Sequence, residues 1–412
     1  MPIVPALRHR NFRLFLTGQF ISLTGTWMQT VAQGWLVLQL TDSALAVGAV
    51  TAAGGLPVLL FTLYGGVVAD RVNKRRWVAF LQALMMLEAA ALGVLTVTGH
   101  ITAVWVGVLA AFAGLAAAFE IPARQALVAE IVGREDLPGA IALNSTVFNV
   151  TRVFGPVVSG LVLTGFGAAA CFFANAASFL AAILALLSMA PLPFDGVPAR
   201  QDEDRSLRRA IGYLKGKRRP RVLILLTAAL TVFGFSYVTM LPVYAREAMG
   251  RGPTGYGGLV SATGVGASLA ALAMAGAGWR IGRQRDRVVF GAATVFGLAL
   301  ILAGLVRSYW LAMMLFAFAG CAMITNNILT NTLLQTEVPN NLRGRLMGFY
   351  SLMVVGMAPV GALQAGWIAE HFGVRATLLI GGAVCLVAGV LAARPRTDVR
   401  PIAEAPAGAG RE

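Results

Sequence analysis

Two ionisable residues, Glu88 and Arg152, lie deep within long apolar stretches of the 412-residue sequence, and a third, Glu120, directly follows such a stretch. An unpaired charge in a bilayer costs at least about 2.5–3.5 kcal/mol, so such residues are functional candidates. Glu88 and Arg152 both lie about 16–18 Å from one end of their stretches, a depth that permits an ion pair, and Glu120 is the rival partner for Arg152. A carboxylate in a low dielectric binds a proton more readily than one in water. The pattern therefore marks Glu88 and Glu120 as candidates for binding and releasing a proton, with structural pairing as the alternative.

The sequence contains no pattern that is typical of an enzyme. Its histidines, His9, His100 and His371, are scattered, so neither a zinc site nor a histidine-based triad is expected. The segment from Gly212 to Lys217 is one residue short of a phosphate-binding loop, and Arg218 replaces the required Ser or Thr. We therefore expect no metal, no cofactor and no catalytic residue, and ATP is not the direct energy source.

The elements that must position these side chains are membrane-spanning helices. Of the 412 residues, 58% are hydrophobic and only 12% are charged, about half the share of charge that a soluble domain carries. Twelve apolar segments alternate with polar turns, and most reach the roughly 20 residues that a spanning helix needs. They are Phe12–Leu40, Ala44–Ala69, Trp77–Thr98, Val104–Phe119, Ala140–Leu163, Ala168–Met189, Val222–Tyr244, Tyr256–Gly278, Val288–Val306, Tyr309–Leu333, Leu346–Ile368 and Ala376–Ala393.

A polar linker, residues 191–221, divides these segments into two groups of six. The pattern predicts an all-α membrane protein with an N-terminal half, residues 1–190, and a C-terminal half, residues 222–393. Within the linker, apolar residues at helical spacing among basic ones predict a short amphipathic helix on the inner membrane face, and a disordered basic linker is the alternative. Residues 394–412 are expected to form a disordered cytoplasmic tail.

The basic residues are distributed unevenly between the two sides of the predicted membrane. Of 33 Lys and Arg, four fall in turns assigned to the outside, one falls within a span, and the others fall on the opposite side. Basic residues near span ends are retained in the cytoplasm, so both termini are expected there. The net charge of +15 therefore reflects topology and does not indicate a nucleic-acid partner.

The turn between the second and third segments carries the most distinctive motif. It reads Gly66-Val-Val-Ala-Asp70-Arg71-Val-Asn-Lys74-Arg75. This pattern resembles the loop signature of the major facilitator superfamily, although Asn73 stands where the family usually has a second glycine. The segments Gly25–Gln29, Glu120–Ala126 and Leu241–Arg246 resemble the bacterial secretion-effector branch, which includes enterobactin-type siderophore exporters.

The resemblance implies a twelve-helix fold of two pseudo-symmetric halves and assigns roles to several residues. The loop motif, Gly66, Asp70, Arg71, Lys74 and Arg75, would act as a conformational latch, with Asp70 facing the start of the eleventh span. The second, fifth and eleventh spans would lie between the halves, where Pro57, Gly155, Pro156 and Pro359 permit bending and close approach. The first, seventh and tenth spans would line a cavity with Gln29, Gln33, Tyr237, Asn326, Asn327 and Asn331. The alternative role of these polar residues is hydrogen bonding between helices.

These observations predict a secondary transporter in the bacterial inner membrane. It would export a small amphipathic molecule, such as a siderophore, drug or metabolite, by alternating access and proton antiport, and it would be a monomer. Antiporters of this superfamily often carry an arginine in the fourth span, and this chain has none there unless Arg152 takes that role. A nutrient importer of the same fold is one alternative, and a non-transporting membrane receptor or scaffold is another.

Overall fold

The computed structural model describes residues 5–190, 212–214, 216–277 and 284–393. Within these ranges the chain is almost entirely helical, and no β-strand occurs among the residues described. Nine continuous helical stretches there are long and apolar enough to cross a membrane. Most of the predicted amphipathic helix of the linker, most of the turn around Arg280 and the C-terminal tail lie outside the described residues.

One of these stretches, Ala103–Leu187, consists of three helices. Gly133 and Gly167 interrupt it with φ values of 72° and 80°, a backbone conformation that favours glycine. The 32-residue helix Arg10–Thr41 adds a further span about 48 Å long. With it the bundle has twelve helices: α1 Arg10–Thr41, α2 Ala44–Ala69, α3 Lys74–Val97, α4 103–132, α5 134–166, α6 168–187, α7 Arg218–Ala248, α8 Pro253–Ala277, α9 Arg285–Leu305, α10 Tyr309–Glu337, α11 Leu342–Phe372 and α12 Val374–Ala393.

The prediction of twelve helices in two groups of six is confirmed. The predicted bounds differ most at α4, which was expected to end at Phe119 and continues to residue 132. Two of the charged residues that follow the apolar stretch, Glu120 and Arg124, lie one turn apart and form an ion pair of 2.9 Å. Because they neutralise each other, these charges are accommodated within the helix.

Asn73 has a local role that explains its departure from the family pattern. It is the N-cap of α3, and its side-chain oxygen accepts a hydrogen bond of 3.1 Å from the backbone N–H of Arg76. This bond satisfies one of the donors that have no partner within the first turn of a helix.

Small residues bring the two halves together along two helix pairs. A Cβ at Gly48 of α2 would lie 2.5 Å from the carbonyl oxygen of Ala362 of α11, and a Cβ at Gly55 would lie 2.9 Å from Cγ of Pro359. In the second pair, a Cβ at Gly257 of α8 would overlap the carbonyl of Pro156 of α5. Such close backbone approach is typical of membrane helices with glycine at their contacts.

Two of the prolines within spans, Pro242 of α7 and Pro359 of α11, lie near local departures from α-helical geometry. In α7 the turns Leu230–Phe235 and Tyr244–Ala248 are π-helical, and in α11 Leu352–Gly356 is π-helical. The π turn of α11 ends just before Pro359, which cannot donate to the carbonyl four residues earlier. Widened turns of this kind often mark functional regions, and they allow α7 and α11 to bend.

The bundle has two ends, which we name after Asp42 in the α1–α2 turn and Asp70 in the α2–α3 turn. At the Asp42 end polar contacts cross between the halves: Arg246 of α7 forms an ion pair with Asp42. Glu370 of α11 accepts hydrogen bonds from Ser43 Oγ at 3.0 Å and from the backbone N–H of Leu45 at 3.1 Å. We call Asp42, Ser43, Arg246 and Glu370 the Asp42 clamp.

The Asp70 end differs. The ion pairs found there among the described residues join partners of the same half, such as Lys74 with Glu130 at 2.5 Å and Arg219 with Asp286 at 2.7 Å. A Cβ at Gly66 of α2 would meet no atom within 4 Å. Among the residues that the structure describes, the charged side chains that bridge the two halves therefore lie at the Asp42 end.

Candidate functional site

A cavity of about 500 Å³ lies between the halves. Most of its wall comes from α1, α2, α3, α4 and α6 of the N-terminal half, and α7 and α8 close it from the other half. Its surface combines aromatic and aliphatic side chains with amides and a few charged groups. The polar and charged members are Gln19, Ser22, Thr26, Gln29, Thr30, Gln33, Thr51, Gln82, Glu88, Glu120, Arg124, Asn175 and Thr239.

Glu88 of α3 lies in this wall at the end of a hydrogen-bonded chain. Gln29 of α1 donates from one amide nitrogen to both carboxylate oxygens, at 3.0 and 3.1 Å. Asn175 of α6 donates to the Gln29 carbonyl oxygen at 2.7 Å, and the Ser178 hydroxyl donates to the Asn175 carbonyl oxygen at 3.0 Å. Every donor in this chain points toward the carboxylate, so three helices cooperate to hold Glu88 in the cavity wall.

Gly25 makes this arrangement possible. A Cβ at Gly25 would lie 2.5 Å from the side-chain oxygen of Asn175 and would overlap the Ser178 hydroxyl. The absence of a side chain at this position lets α1 approach α6 closely enough for Gln29 to reach Asn175.

Glu120 and Arg124 of α4 form the second charged group in the wall. Glu120 is buried and Arg124 is half-buried, and their side chains pair at 2.9 Å across one helical turn. Because this pair is neutral as a unit, Glu88 is the carboxylate in the wall that lacks a cationic side-chain partner among the residues that the structure describes.

Two of the predicted cavity residues, Gln29 and Gln33, line the cavity. Tyr237 does not: it is 3% exposed, stacks on Phe316 with ring centroids 5.2 Å apart, and lies 3.3 Å from the Thr263 hydroxyl, to which it donates. Its neighbours Val238 and Thr239 reach the wall instead.

The predicted asparagines of α10 also lie elsewhere. Asn326 is buried and donates to the backbone oxygen of Val289 of α9 at 3.0 Å, which is the helix-bonding role weighed as the alternative. Asn327 accepts the Tyr350 hydroxyl on its backbone oxygen, and Asn331 accepts from Gln335. None of the three is part of the cavity wall described above.

Arg152 is not paired with Glu88 or Glu120. It packs against α8, where a Cβ at Gly264 would lie 3.4 Å from its Cγ, and it interacts electrostatically with Tyr237. The ion pair that equal depth permits does not form because α3 presents Glu88 to Gln29 of α1, while α5 presents Arg152 to the C-terminal half. Gly155, one turn along α5, packs against Trp27 of α1.

Only some side chains of the loop motif form ion pairs or hydrogen bonds with other parts of the chain. Lys74 pairs with Glu130, and Arg75 donates to the backbone oxygen of Met189 at 2.5 Å, so both bind within their own half. Asp70 and Arg71 are exposed. Among the residues that the structure describes, these contacts of the motif stay within the N-terminal half.

Several residues of the site were not singled out from the sequence. Asn175 and Ser178 lie three residues apart on one face of α6, a spacing that could have indicated a shared polar partner. Gln82 is buried in the wall, and no group among the described residues donates to its carbonyl oxygen. The Asp42 clamp joins residues far apart in the chain and leaves no local signal. Across the ranges that the structure describes, no three His, Cys, Asp or Glu side chains lie close enough to hold a metal ion.

Twelve helices in two halves that meet at one end around an internal cavity define the major facilitator fold of membrane transporters. The model of the family described as transmembrane secretion effectors matches residues 2–406. The chain belongs to this family, as the loop motif and the three shorter segments predicted, and it is a multi-pass protein of the bacterial inner membrane.

The comparisons with known proteins agree with this assignment. The chain is 30% identical over 389 residues to the multidrug efflux pump Tap of Mycolicibacterium fortuitum, covering 90% of this chain and 93% of that protein. It is 26% identical over 378 residues to the staphyloferrin A transporter of Staphylococcus aureus, covering 90% and 92%. Among solved structures, a variant of the nucleoside transporter NupG superposes with a TM-score of 0.74 at 16% identity, covering 93% and 98%.

Proposed function

We propose that this protein exports small amphipathic molecules from the cytoplasm in exchange for protons. The observation that carries the proposal is the position of Glu88, a carboxylate in the wall of a largely apolar cavity with a hydrogen-bonded amide and no cationic partner among the described residues. A carboxylate so placed can bind a proton in one state and release it in the other. The efflux activity in the name of Tap and the secretion-effector family support the outward direction.

Alternating access follows from the two ends of the bundle. In the proposal the Asp42 end faces outward and the Asp70 end faces the cytoplasm, so the conformation described is open to the cytoplasm. The N-terminal half, residues 1–190, and the C-terminal half, residues 222–393, rock about the cavity as two bodies in a monomer. Breaking the Asp42 clamp and engaging the loop motif would expose the cavity to the outside.

Transport in vesicles tests this function. Purified protein is placed in liposomes with an imposed pH gradient, and movement of staphyloferrin A, a macrolide and a fluorescent dye is measured. At least one cargo should accumulate on the acidic side, and the accumulation should disappear with a protonophore. We expect Glu88→Gln to remove the dependence on the gradient and Gln82→Leu, at another buried position of the cavity wall, to keep it.

Four outcomes would contradict the proposal. Transport that is unchanged by the protonophore excludes proton exchange, and loss of gradient dependence in Glu120→Gln but not in Glu88→Gln gives Glu88 a structural role. Movement of cargo in the same direction as the proton favours the importer. Absence of movement for every cargo favours the receptor or scaffold.

A further inference from the structure

The charges of the side chains that line the cavity do not sum to zero. Three of the lining residues carry charge: Glu88, Glu120 and Arg124. Glu120 and Arg124 neutralise each other at 2.9 Å, and Arg152, the other cation within a span nearby, packs against α8 and is not part of the wall. When Glu88 is ionised, the wall therefore carries one negative charge.

The hydrogen bonds around Glu88 leave this charge available to the cavity. Gln29 cannot turn its amide around, because its carbonyl oxygen is held by Asn175 at 2.7 Å and its nitrogen serves both Glu88 oxygens. One neutral donor satisfies only part of the acceptor capacity of a carboxylate, which has about four lone-pair sites. A cation in the cavity would supply the missing partner.

The rest of the wall is suited to an organic cation. Trp27, Phe179 and Tyr256 line the same cavity from α1, α6 and α8. Aromatic faces attract cations within about 6 Å of the ring centroid, and their apolar area favours a hydrophobic body. Most of the surface that the wall exposes is apolar, which suits the hydrophobic body of an organic cation better than a bare inorganic ion.

We propose that the cavity selects amphipathic organic cations with a single positive charge, which Glu88 neutralises. This inference rests on the proposed export function and names its cargo class. The proton and the cargo would then use the same carboxylate in turn, so that binding of one displaces the other. A neutral cargo of the same shape would lose this interaction, and an anion would be repelled.

Tetraphenylphosphonium and tetraphenylborate test the proposal, because they share their shape and differ in the sign of their charge. Equilibrium binding of each to the purified full chain is measured in detergent and corrected for partition into micelles. The wild type should bind the cation at least about tenfold more tightly than the anion, which corresponds to about 1.4 kcal/mol. In Glu88→Gln the two affinities should come within about twofold of each other.

Two further variants keep the result interpretable. Glu88→Asp retains the charge and should retain the preference for the cation. Gln82→Leu changes a buried neutral lining residue of the same helix, and it should shift both affinities together. Equal affinities in the wild type, binding of neither probe, or a preference that persists in Glu88→Gln would overturn the proposal.

The failure of this inference is distinguishable from the failure of the export function. If the vesicle assay shows proton-driven movement of a neutral or anionic cargo while the binding assay shows no preference for the cation, export stands and the cargo class is wrong. If no cargo moves in vesicles, the export function itself fails, whichever probe the purified protein binds.

Discussion

At the residue scale, Glu88 and its hydrogen-bonded chain are the feature on which the site depends. A buried carboxylate is tolerated in a membrane protein only when the surrounding groups satisfy it. Gln29, Asn175 and Ser178 do so with neutral groups from two other helices. Neutral donors orient the carboxylate without cancelling its charge, which leaves the group free to bind a proton or a cation.

Removing Gln29 should therefore destabilise the protein through Glu88. In Gln29→Leu the carboxylate and Asn175 both lose a partner, and a buried group left without its partner costs about 1–3 kcal/mol. We expect a lower midpoint of thermal unfolding in detergent. In Gln29→Leu/Glu88→Leu much of this loss should be recovered, because replacing both partners by apolar groups is nearly neutral.

Gln33→Leu is the matched control for this prediction. Gln33 lies one turn from Gln29 on the same helix and also lines the cavity, so its replacement makes a similar change of polarity away from Glu88. A loss of stability in Gln33→Leu equal to that in Gln29→Leu, or a double variant less stable than Gln29→Leu, would contradict the proposed role of the chain.

At the element scale, α2 and α11 make contacts that differ between their two ends. Near the Asp42 end they pack closely through glycines and Pro359, and near the Asp70 end they diverge. Gly65 and Gly66 of α2 are adjacent in the chain but have different surroundings. A Cβ at Gly65 would overlap the carbonyl of Ala118 of α4, within the same half, whereas a Cβ at Gly66 would meet nothing within 4 Å.

These two glycines give opposite expectations for the same substitution. Gly65→Ala overpacks a contact within the N-terminal half and should lower stability by about 1–3 kcal/mol. Gly66→Ala should leave stability unchanged in the conformation described, and it should slow transport because the alternative conformation brings α11 toward this position. Thermal unfolding and vesicle transport measure the two effects, and a Gly66→Ala variant with wild-type transport would show that α11 does not approach there.

The Asp42 clamp gives a second prediction at this scale. Arg246→Gln removes the ion pair with Asp42 and a hydrogen bond of 3.3 Å to the backbone oxygen of Leu38, both of which cross between the halves. We expect a shift toward the state that is open at the Asp42 end. Spin labels at positions 76 and 343, on opposite halves at the Asp70 end, should then report shorter distances.

Arg251→Gln is the control for the clamp. Arg251 lies at the same end and carries the same charge, but its side chain stacks on Tyr309 of its own half, 5.0 Å from the ring centroid. Its replacement should leave the distances unchanged. High salt should act like Arg246→Gln, since the clamp is partly exposed to solvent, and distances that do not respond to either change would remove the clamp from the conformational equilibrium.

The sequence predicted the helices well and the orientation of their side chains only in part. Span length and turn chemistry depend on local residues, which is why the twelve helices could be counted. Gln29 and Asn326 are both amides in spans expected to face the cavity, yet one faces it and the other faces α9. The rotation of a helix about its own axis depends on packing against its neighbours. A span that is apolar on all sides has no hydrophobic periodicity from which this rotation could be predicted.

At the scale of the whole molecule, the distribution of charge predicts the orientation in the membrane. The turns at the Asp70 end carry the basic residues of the loop motif, together with Arg134 and Arg219, whereas the α3–α4 turn at the Asp42 end contains no Lys or Arg. Retention of basic turns on the cytoplasmic side would place the Asp70 end inside. The same orientation would make the cavity accessible from the cytoplasm, as an exporter requires for loading.

Cysteine labelling tests this orientation directly. In a background with Cys171, Cys321 and Cys385 replaced by alanine, one cysteine is placed at Arg76, exposed at the Asp70 end, and another at His100, exposed in the α3–α4 turn. An impermeant maleimide added to intact cells should label position 100 and should label position 76 only after the membrane is permeabilised. Labelling of position 76 in intact cells would invert the topology. The conformation described would then be open to the outside, and the Asp42 clamp would close the cytoplasmic side instead.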